Sequence, residues 1–263
     1  MRLSPPSKMA PVTFDLTVLG SAGSHTGPGR ACSSYLFRAD GAQLLVDCGN
    51  GSSANLQRIT RPDELDAILI THRHVDHCVD LIGMYYALRF HPDGPRDIAL
   101  YAAPEVVDVL TGLLSKDSAL TFHEVFDVHE VTGGDRFEVG GMEVDLAEAV
   151  HPVPTVSARV RAAGRTVVYS SDTAGSDELV ELARGCDLFL CEATWQGDTR
   201  DYPPGMHLTA REAGRLARTA EVRRLLVTHV LGSLDGSISL EQAAETFSGD
   251  IALAEDLRTW VLS

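Results

Sequence analysis

No stretch of this 263-residue chain approaches the roughly 18 uninterrupted apolar residues that a membrane-spanning helix needs, so the pattern excludes a membrane span. The opening Met1-Arg2-Leu3-Ser4-Pro5-Pro6 lacks the apolar core of a secretory signal, and residues 1–12 read as a disordered lead-in or a start-site artefact. Cysteine is sparse. The five present, Cys32, Cys48, Cys78, Cys186 and Cys191, are odd in number and form no C-x-x-C pair. That argues against a disulfide framework and for a reducing, cytoplasmic setting. Basic residues are few, 22 Lys and Arg against 37 Asp and Glu, giving a formal net charge of −15. Such a charge repels polyanions at long range and makes nucleic acid a disfavoured partner. The densest basic group, Arg211, Arg215, Arg218, Arg223 and Arg224, is interleaved with acids and reads as a solvated face. Short repeats, low-complexity tracts and interdomain linkers are also missing. Residues 13–263 therefore read as a single domain, with 44% hydrophobic content to fill a core.

What is there is a succession of short strands and helices. Strands are predicted at 13–19, 34–38 and 43–46, with Asp40-Gly41 as a hairpin signal. Another at 66–70 contains the run Ala67-Ile68-Leu69-Ile70, as expected when both faces are covered. A helix at 80–90, a strand at 99–101 and a helix from Pro104 to 114 follow. Strands are then predicted at 122–131, 136–139 and 142–149, with a hairpin over 155–162 and 166–170 turned at Ala163-Gly164. The last third gives helices at 177–184, 209–219 and 240–247, with strands at 188–191 and 225–227 between them. Strands followed by helix recur in each half. That predicts an α/β (α+β) fold of two β-rich halves packed sheet on sheet, with helices outside.

The chemistry gathers at the strand ends. His72 follows the apolar run ending at Ile70, Asp172 follows Val167-Val168-Tyr169, and His229 follows Leu225-Leu226-Val227. His151 follows the alternating Val144, Leu146 and Val150. Loops at strand ends on a rigid scaffold are where functional groups collect. Within the run His72-Arg73-His74-Val75-Asp76-His77, the first two histidines are i, i+2. In an extended segment they point to one side and can grip one metal ion, while Asp76 and His77, after a turn, can reach a second. Imidazole and carboxylate suit Zn²⁺, with Mn²⁺ or Fe²⁺ as alternatives, and no thiolate is placed to force the choice. Cys78 reads as a buried small hydrophobe rather than a ligand. His25 lies in a glycine loop that can face the site. His91, His123 and His129 have no partner pattern, and 195–206, with Tyr202-Pro203-Pro204-Gly205, is a candidate pocket wall.

Thr71-His72-Arg73-His74-Val75-Asp76-His77 resembles the H-x-H-x-D-H signature of the metallo-β-lactamase superfamily, and the likeness covers nearly the whole chain. Leu19-Gly20-Ser21-Ala22-Gly23-Ser24 resembles its first glycine turn and Leu45-Val46-Asp47-Cys48-Gly49 its L-x-D-x-G element. Tyr169-Ser170-Ser171-Asp172-Thr173 resembles its Y-S-G-D-T segment, and Val227-Thr228-His229 its last ligand segment. The resemblance implies a four-layer αββα sandwich, with two mixed sheets face to face and helices outside. It implies two divalent ions, one on His72, His74 and His151 and the other on Asp76, His77 and His229, with Asp172 bridging. A hydroxide between the ions would be the nucleophile, oriented by Asp76.

Cys191-Glu192-Ala193-Thr194-Trp195, followed by His207-Leu208-Thr209-Ala210, resembles ribonuclease Z and its phosphodiesterase relatives. There the histidine before the helix stabilises and protonates the leaving oxygen, which assigns His207 that catalytic part beside Asp76. The likeness also implies a homodimer, since those relatives often pair. Three departures stand out. A single hairpin separates His151 from Asp172, where ribonuclease Z usually carries a tRNA-gripping arm; Val75 and Ser171 replace glycines. The missing arm and the acidic charge turn the reading from tRNA toward a small phosphodiester. The stretches at 77–81, 89–92 and 179–193 look closest to an armless group, the actinobacterial atypical class II cyclic-AMP phosphodiesterases. The reading is thus a cytoplasmic phosphodiesterase for a small cyclic nucleotide such as 3′,5′-cyclic AMP, without membrane or nucleic-acid partner. The alternatives are a tRNA 3′-processing endonuclease and a lactonase or thioesterase.

Overall fold

The computed structural model describes residues 13–94 and 96–262, so the lead-in read at 1–12 lies outside the described residues. The first half contains β1 (Phe14–Gly20), β2 (Ala22–Gly23), β3 (Ser34–Ala39), β4 (Ala42–Val46), α1 (Ser52–Leu56) and β5 (Ala67–Ile70). It continues through α2 (Val75–Cys78), α3 (Leu81–Arg89), β6 (Ile98–Ala102), α4 (Val106–Leu113), α5 (Lys116–Leu120) and β7 (Phe126–Glu130). The second contains β8 (Arg136–Val139), β9 (Met142–Glu148), β10 (Val156–Ala162), β11 (Arg165–Tyr169), α6 (Asp177–Ala183) and β12 (Leu188–Glu192). It ends with α7 (Ala210–Thr219), β13 (Arg224–Thr228), β14 (Val230–Leu231), α8 (Gly236–Ala244), β15 (Asp250–Leu253) and β16 (Thr259–Leu262).

Two seven-stranded sheets form, ordered β16-β1-β3-β4-β5-β6-β7 and β15-β13-β12-β11-β10-β9-β8. From β16 in one and β8 in the other, each shows three antiparallel pairings and then three parallel ones. The predicted halves therefore share one topology, although β16 crosses back to complete the first sheet.

Side-chain alternation sorts the strands into layers. Leu44, Val46, Leu69, Val167, Tyr169, Leu188 and Leu190 point into the core between the sheets. Their neighbours Leu45, Ile68 and Ile70 face outward onto Leu81, Met84, Tyr85 and Leu88 of α3. Val168, Phe189 and Cys191 face outward onto Leu179 of α6 and Ala213 and Ala217 of α7. Strands apolar on both faces are what this four-layer αββα arrangement requires.

Three local expectations need correction. The stretch 122–131 is not one strand. Phe122–Glu124 is a 3₁₀ turn, and Phe122 and Phe126 pack ring to ring at 4.9 Å, which an extended chain could not allow at that spacing. The helix from Pro104 starts at Val106, because Glu105 takes φ +71° and breaks the helical path. The last helix begins at Gly236, where the Asp235 carboxylate accepts from Ser237 N, rather than at 240. The chemistry-bearing residues Asp47, His72, Asp172, Glu192 and His229 stand at the carboxyl ends of β4, β5, β11, β12 and β13, where open α/β sheets place their ligands.

Candidate metal centre

β5 is a fully buried run, so the chain leaves it pointing at the sheet edge and delivers His72 there, with no exposed surface. His74 stands at the N-terminal boundary of α2, and this short helix swings Asp76 and His77 to the other side. His151 follows β9 through Val150, which is bridged to Ala174. Of nine non-glycine residues with positive φ among the described residues, four cluster here: Ser24 (58°), Asp47 (59°), Ser171 (54°) and His229 (53°). Left-handed backbone outside glycine costs of order 1–3 kcal/mol and persists where the surroundings over-determine it, commonly at functional sites.

The structure brings all seven predicted ligands and His207 together. His74 Nδ1 lies 3.1 Å from both His72 Nε2 and His151 Nε2. Asp172 Oδ2 is 3.6 Å from His72 Nε2. On the other side His77 Nε2 and His229 Nε2 are 3.1 Å apart, and Asp76 Oδ2 is 3.3 Å from His229 Nε2. Asp172 Oδ1 lies 3.1 and 3.2 Å from those two ring nitrogens. Two four-residue sets result, His72, His74, His151 and Asp172, and Asp76, His77, Asp172 and His229. Each offers donor atoms within 4.8 Å of one another. Asp172 belongs to both.

Two observations fit these sets to metal. First, the far side of four of the five rings is engaged. His77 Nδ1 donates to Asp47 Oδ2 at 2.7 Å, and His151 Nδ1 to the Met206 carbonyl at 2.8 Å. Thr194 Oγ1 donates to Glu192, so its oxygen accepts from His229 Nδ1 at 2.8 Å. His72 Nδ1 faces Thr71 Oγ1 at 3.2 Å. Each contact leaves Nε2 directed inward, which is how neighbouring groups orient metal-binding histidines. Second, Asp172 Oδ1 is buried and makes no hydrogen bond among the described residues. A buried carboxylate oxygen surrounded by ring nitrogens is costly to leave uncompensated, and positive charge at this point completes it.

The electrostatics agree. Burial, then the charge of His77, drives the His72 pKa well down. Burial opposes ionisation of Asp172, yet His229 and His77 hold its carboxyl well below the usual range. Burial lowers His77, but Asp172, Asp47 and Asp76 outweigh it and push the ring well up. The carboxylates demand positive charge at this spot, and a divalent ion is its densest source.

His207 sits just beyond, at the entry to α7, its Nδ1 3.9 Å from Asp172 Oδ2. Burial lowers its pKa, but the Glu192 carboxylate at 2.9 Å overrides this and pushes it up to about 9. Glu192 is itself fully buried and also accepts from Thr173 N, Thr194 N, Thr194 Oγ1 and Leu208 N. A third set of possible ligands, Glu192, His207 and His229, overlaps this network, but its carboxylate is already occupied by these donors. Sequence reasoning gave Glu192 and Asp47 no role. The rule that found the ligands would have found them, since each is an acid at the end of an apolar strand.

The other candidates separate cleanly. In 195–206, Trp195 stacks on Tyr202 at 4.5 Å and meets His207 edge-on at 5.2 Å, so the segment packs beside His207. His25 is exposed, and its ring Nδ1 contacts the neighbouring Thr26 carbonyl at 2.9 Å. Cys78 is buried in the outer core, and all five cysteines are free. His91 contacts Asp63, His129 contacts Asp127, and His123 is exposed. Ser171, in place of glycine, takes the left-handed conformation that favours glycine. No helix among the described residues is long and apolar enough to cross a membrane.

The β-lactamase superfamily domain model matches residues 42–230, most of the chain. The uncharacterized protein ML1173 of Mycobacterium leprae is 37% identical over 91% of this chain and 86% of its own length. A ribonuclease Z of Haloferax volcanii is 30% identical, over 91% of this chain and 92% of its own. The crystal structure of YhfI from Bacillus subtilis, a metallo-β-lactamase fold protein, superposes with a TM-score of 0.85. It covers 95% of this chain and all of that one at 24% identity. The fold, the paired histidine–aspartate sets and these relatives lead to one assignment: the chain belongs to the β-lactamase superfamily of metallo-hydrolases, in its ribonuclease Z-like branch.

Proposed function

We propose that this protein is a dinuclear phosphodiesterase whose favoured substrate is a small cyclic nucleotide such as 3′,5′-cyclic AMP. In this reading His72, His74 and His151 hold one ion, Asp76, His77 and His229 the other, and Asp172 both, with Zn²⁺ the first choice and Mn²⁺ or Fe²⁺ the alternatives. Ions held there would supply Lewis acidity and lower the pKa of a nearby water. Asp76, fixed by Ser24 N at 2.8 Å, orients the attacking group. His207 is the observation that carries the phosphodiester reading. Glu192 keeps its ring protonated through Nδ1, which leaves Nε2–H to donate to a phosphoryl or leaving oxygen. Charge develops on both the phosphoryl and the leaving oxygens in phosphodiester cleavage, and a clamped cationic donor beside the ligand sets meets that need.

Substrate size follows from the hairpin β10–β11, which turns at Ala163-Gly164 and holds no arm, and from the net charge of −15. Both favour a small substrate over tRNA. Five free, buried cysteines support a cytoplasmic setting, and a homodimer is proposed by likeness to the branch.

Two measurements test the reading. Elemental analysis of the fully loaded protein should give about two metals per chain; one or none ends the dinuclear version. A substrate panel of 3′,5′- and 2′,3′-cyclic nucleotides, an aryl phosphodiester, precursor tRNA and a lactone should show the cyclic nucleotide cleaved fastest. Precursor tRNA leading the panel would establish the endonuclease instead, the second reading that the Haloferax volcanii relative favours.

A further inference from the structure

Behind the metal-facing rings runs a chain of hydroxyls with no part in the scheme above. Ser171 is fully buried with φ +54°, a strained backbone for any residue but glycine. Its Oγ donates to Thr71 Oγ1 at 2.7 Å. Thr71 has one hydroxyl proton, and the Asp47 carboxylate, 2.9 and 3.0 Å away, can only accept it. The Thr71 oxygen keeps two lone pairs. One takes the Ser171 proton, and the other faces His72 Nδ1 at 3.2 Å. The same Asp47 accepts from Thr71 N at 2.8 Å, from His77 Nδ1 at 2.7 Å and from Tyr169 Oη at 3.0 Å. One buried carboxylate therefore stands directly behind a ring of the second ligand set and, through Thr71, behind a ring of the first. Ser171, the residue before the shared Asp172, closes this circuit.

We infer that Ser171 and Thr71 are positioning residues for the metal centre. Their hydroxyl relay holds His72 with Nε2 forward and pins the turn that carries Asp172, so that both ligand sets are registered against Asp47. The inference rests on the metal reading given above. Its physical ground is the strain at Ser171. Glycine would occupy this backbone more easily, so the serine is accounted for only by what its hydroxyl does. The relay also removes an ambiguity in His72, because Thr71 Oγ1, already donating to Asp47, can accept only from Nδ1–H.

The test separates strain from hydroxyl. Metal-stripped wild type, Ser171→Gly, Ser171→Ala, Thr71→Val and Thr71→Ser are titrated with Zn²⁺ against a chromophoric chelator, and the Tm of each metal-free protein is recorded. Ser171→Gly relieves the strain, so its metal-free Tm should equal or exceed that of wild type while Zn²⁺ affinity falls about 10-fold or more. Ser171→Ala should lose similar affinity and also lower the Tm. Thr71→Val should weaken Zn²⁺ more, up to about 100-fold, and Thr71→Ser should restore it. Ser171→Gly, which has no reason to misfold, decides the matter if Thr71→Val does not fold. If it binds Zn²⁺ as wild type does, the relay is overturned while the metal reading stands. Wild type that takes up no Zn²⁺ overturns the metal reading and the relay with it.

Discussion

The two halves of the centre meet solvent differently. In the first set His72 is sealed, but His74 and His151 are half-buried. In the second set Asp76, His77, Asp172 and His229 are all buried, and His77 and His229 have no exposed surface. The backing differs in kind as well. His77 leans on a buried carboxylate, whereas His151 leans on the neutral Met206 carbonyl. A buried charge pair holds geometry rigidly but tolerates loss of a partner badly; a half-exposed ring on a carbonyl can be lost more cheaply. The open set therefore fits the task of meeting substrate and exchanging its ion, and the sealed set that of holding an ion fixed. A mutation series that treats the sets alike would break this comparison.

Asp172→Ala gives the largest expected effect, because this side chain serves both sets and its Oδ1 faces ring nitrogens of His77 and His229 at 3.1 and 3.2 Å. It should empty both positions and lower turnover by about three decades or more, the several kcal/mol that metal stabilisation supplies. Elemental analysis with turnover of an aryl phosphodiester checks this; retention of two metals would remove Asp172 from the bridge.

Next comes a paired comparison. His77→Ala leaves Asp47 buried without its nearest donor, so it should destabilise the metal-free protein by about 3–5 kcal/mol. His74→Ala, at a half-buried ring with no backing group among the described residues, should cost stability far less while still weakening metal. Denaturant midpoints of the metal-free variants report the difference. Equal losses would mean that the sealed and open sets are not mechanically distinct.

The same contrast explains what could be read from sequence. The first half delivers His72, His74, Asp76 and His77 within six consecutive residues, and adjacency alone shows that they act together. The second half delivers Asp172, Glu192 and His229 from separate strand ends and His207 from the entry to α7, and only the fold makes them neighbours. His151, Asp172 and His229 were reached because each follows a recognisable apolar strand and the family pattern assigns it a ligand role. Glu192 and Asp47 stand in the same kind of position but bind no metal in that pattern, so their parts as anchors emerged only from the hydrogen bonds around them. The sheets were legible because β4, β5, β11 and β12 are apolar on both faces. The strands β15 and β16 were not, since their burial is partial and their pairing partners lie far off in sequence.

His207→Ala should act on chemistry rather than loading, leaving the metal content intact and lowering turnover by roughly 10²-fold. Its pH dependence is the smallest effect and the finest test. Glu192 raises the His207 pKa to about 9 in the metal-free protein, so the protonated ring stabilises the fold fully below its unfolded pKa of about 6.5. That contribution is lost as pH rises through about 9. Histidine resonances of the metal-free protein, followed by NMR, should show one ring titrating near 9 that vanishes in His207→Ala and falls in Glu192→Gln. Divalent ions bound beside the ring would repel its proton, so the alkaline limb of turnover in the loaded enzyme should lie below 9. A His207 that titrates near the ordinary histidine value in the metal-free protein would mean that Glu192 does not hold the proton there, and the ring could not be the acid of this site.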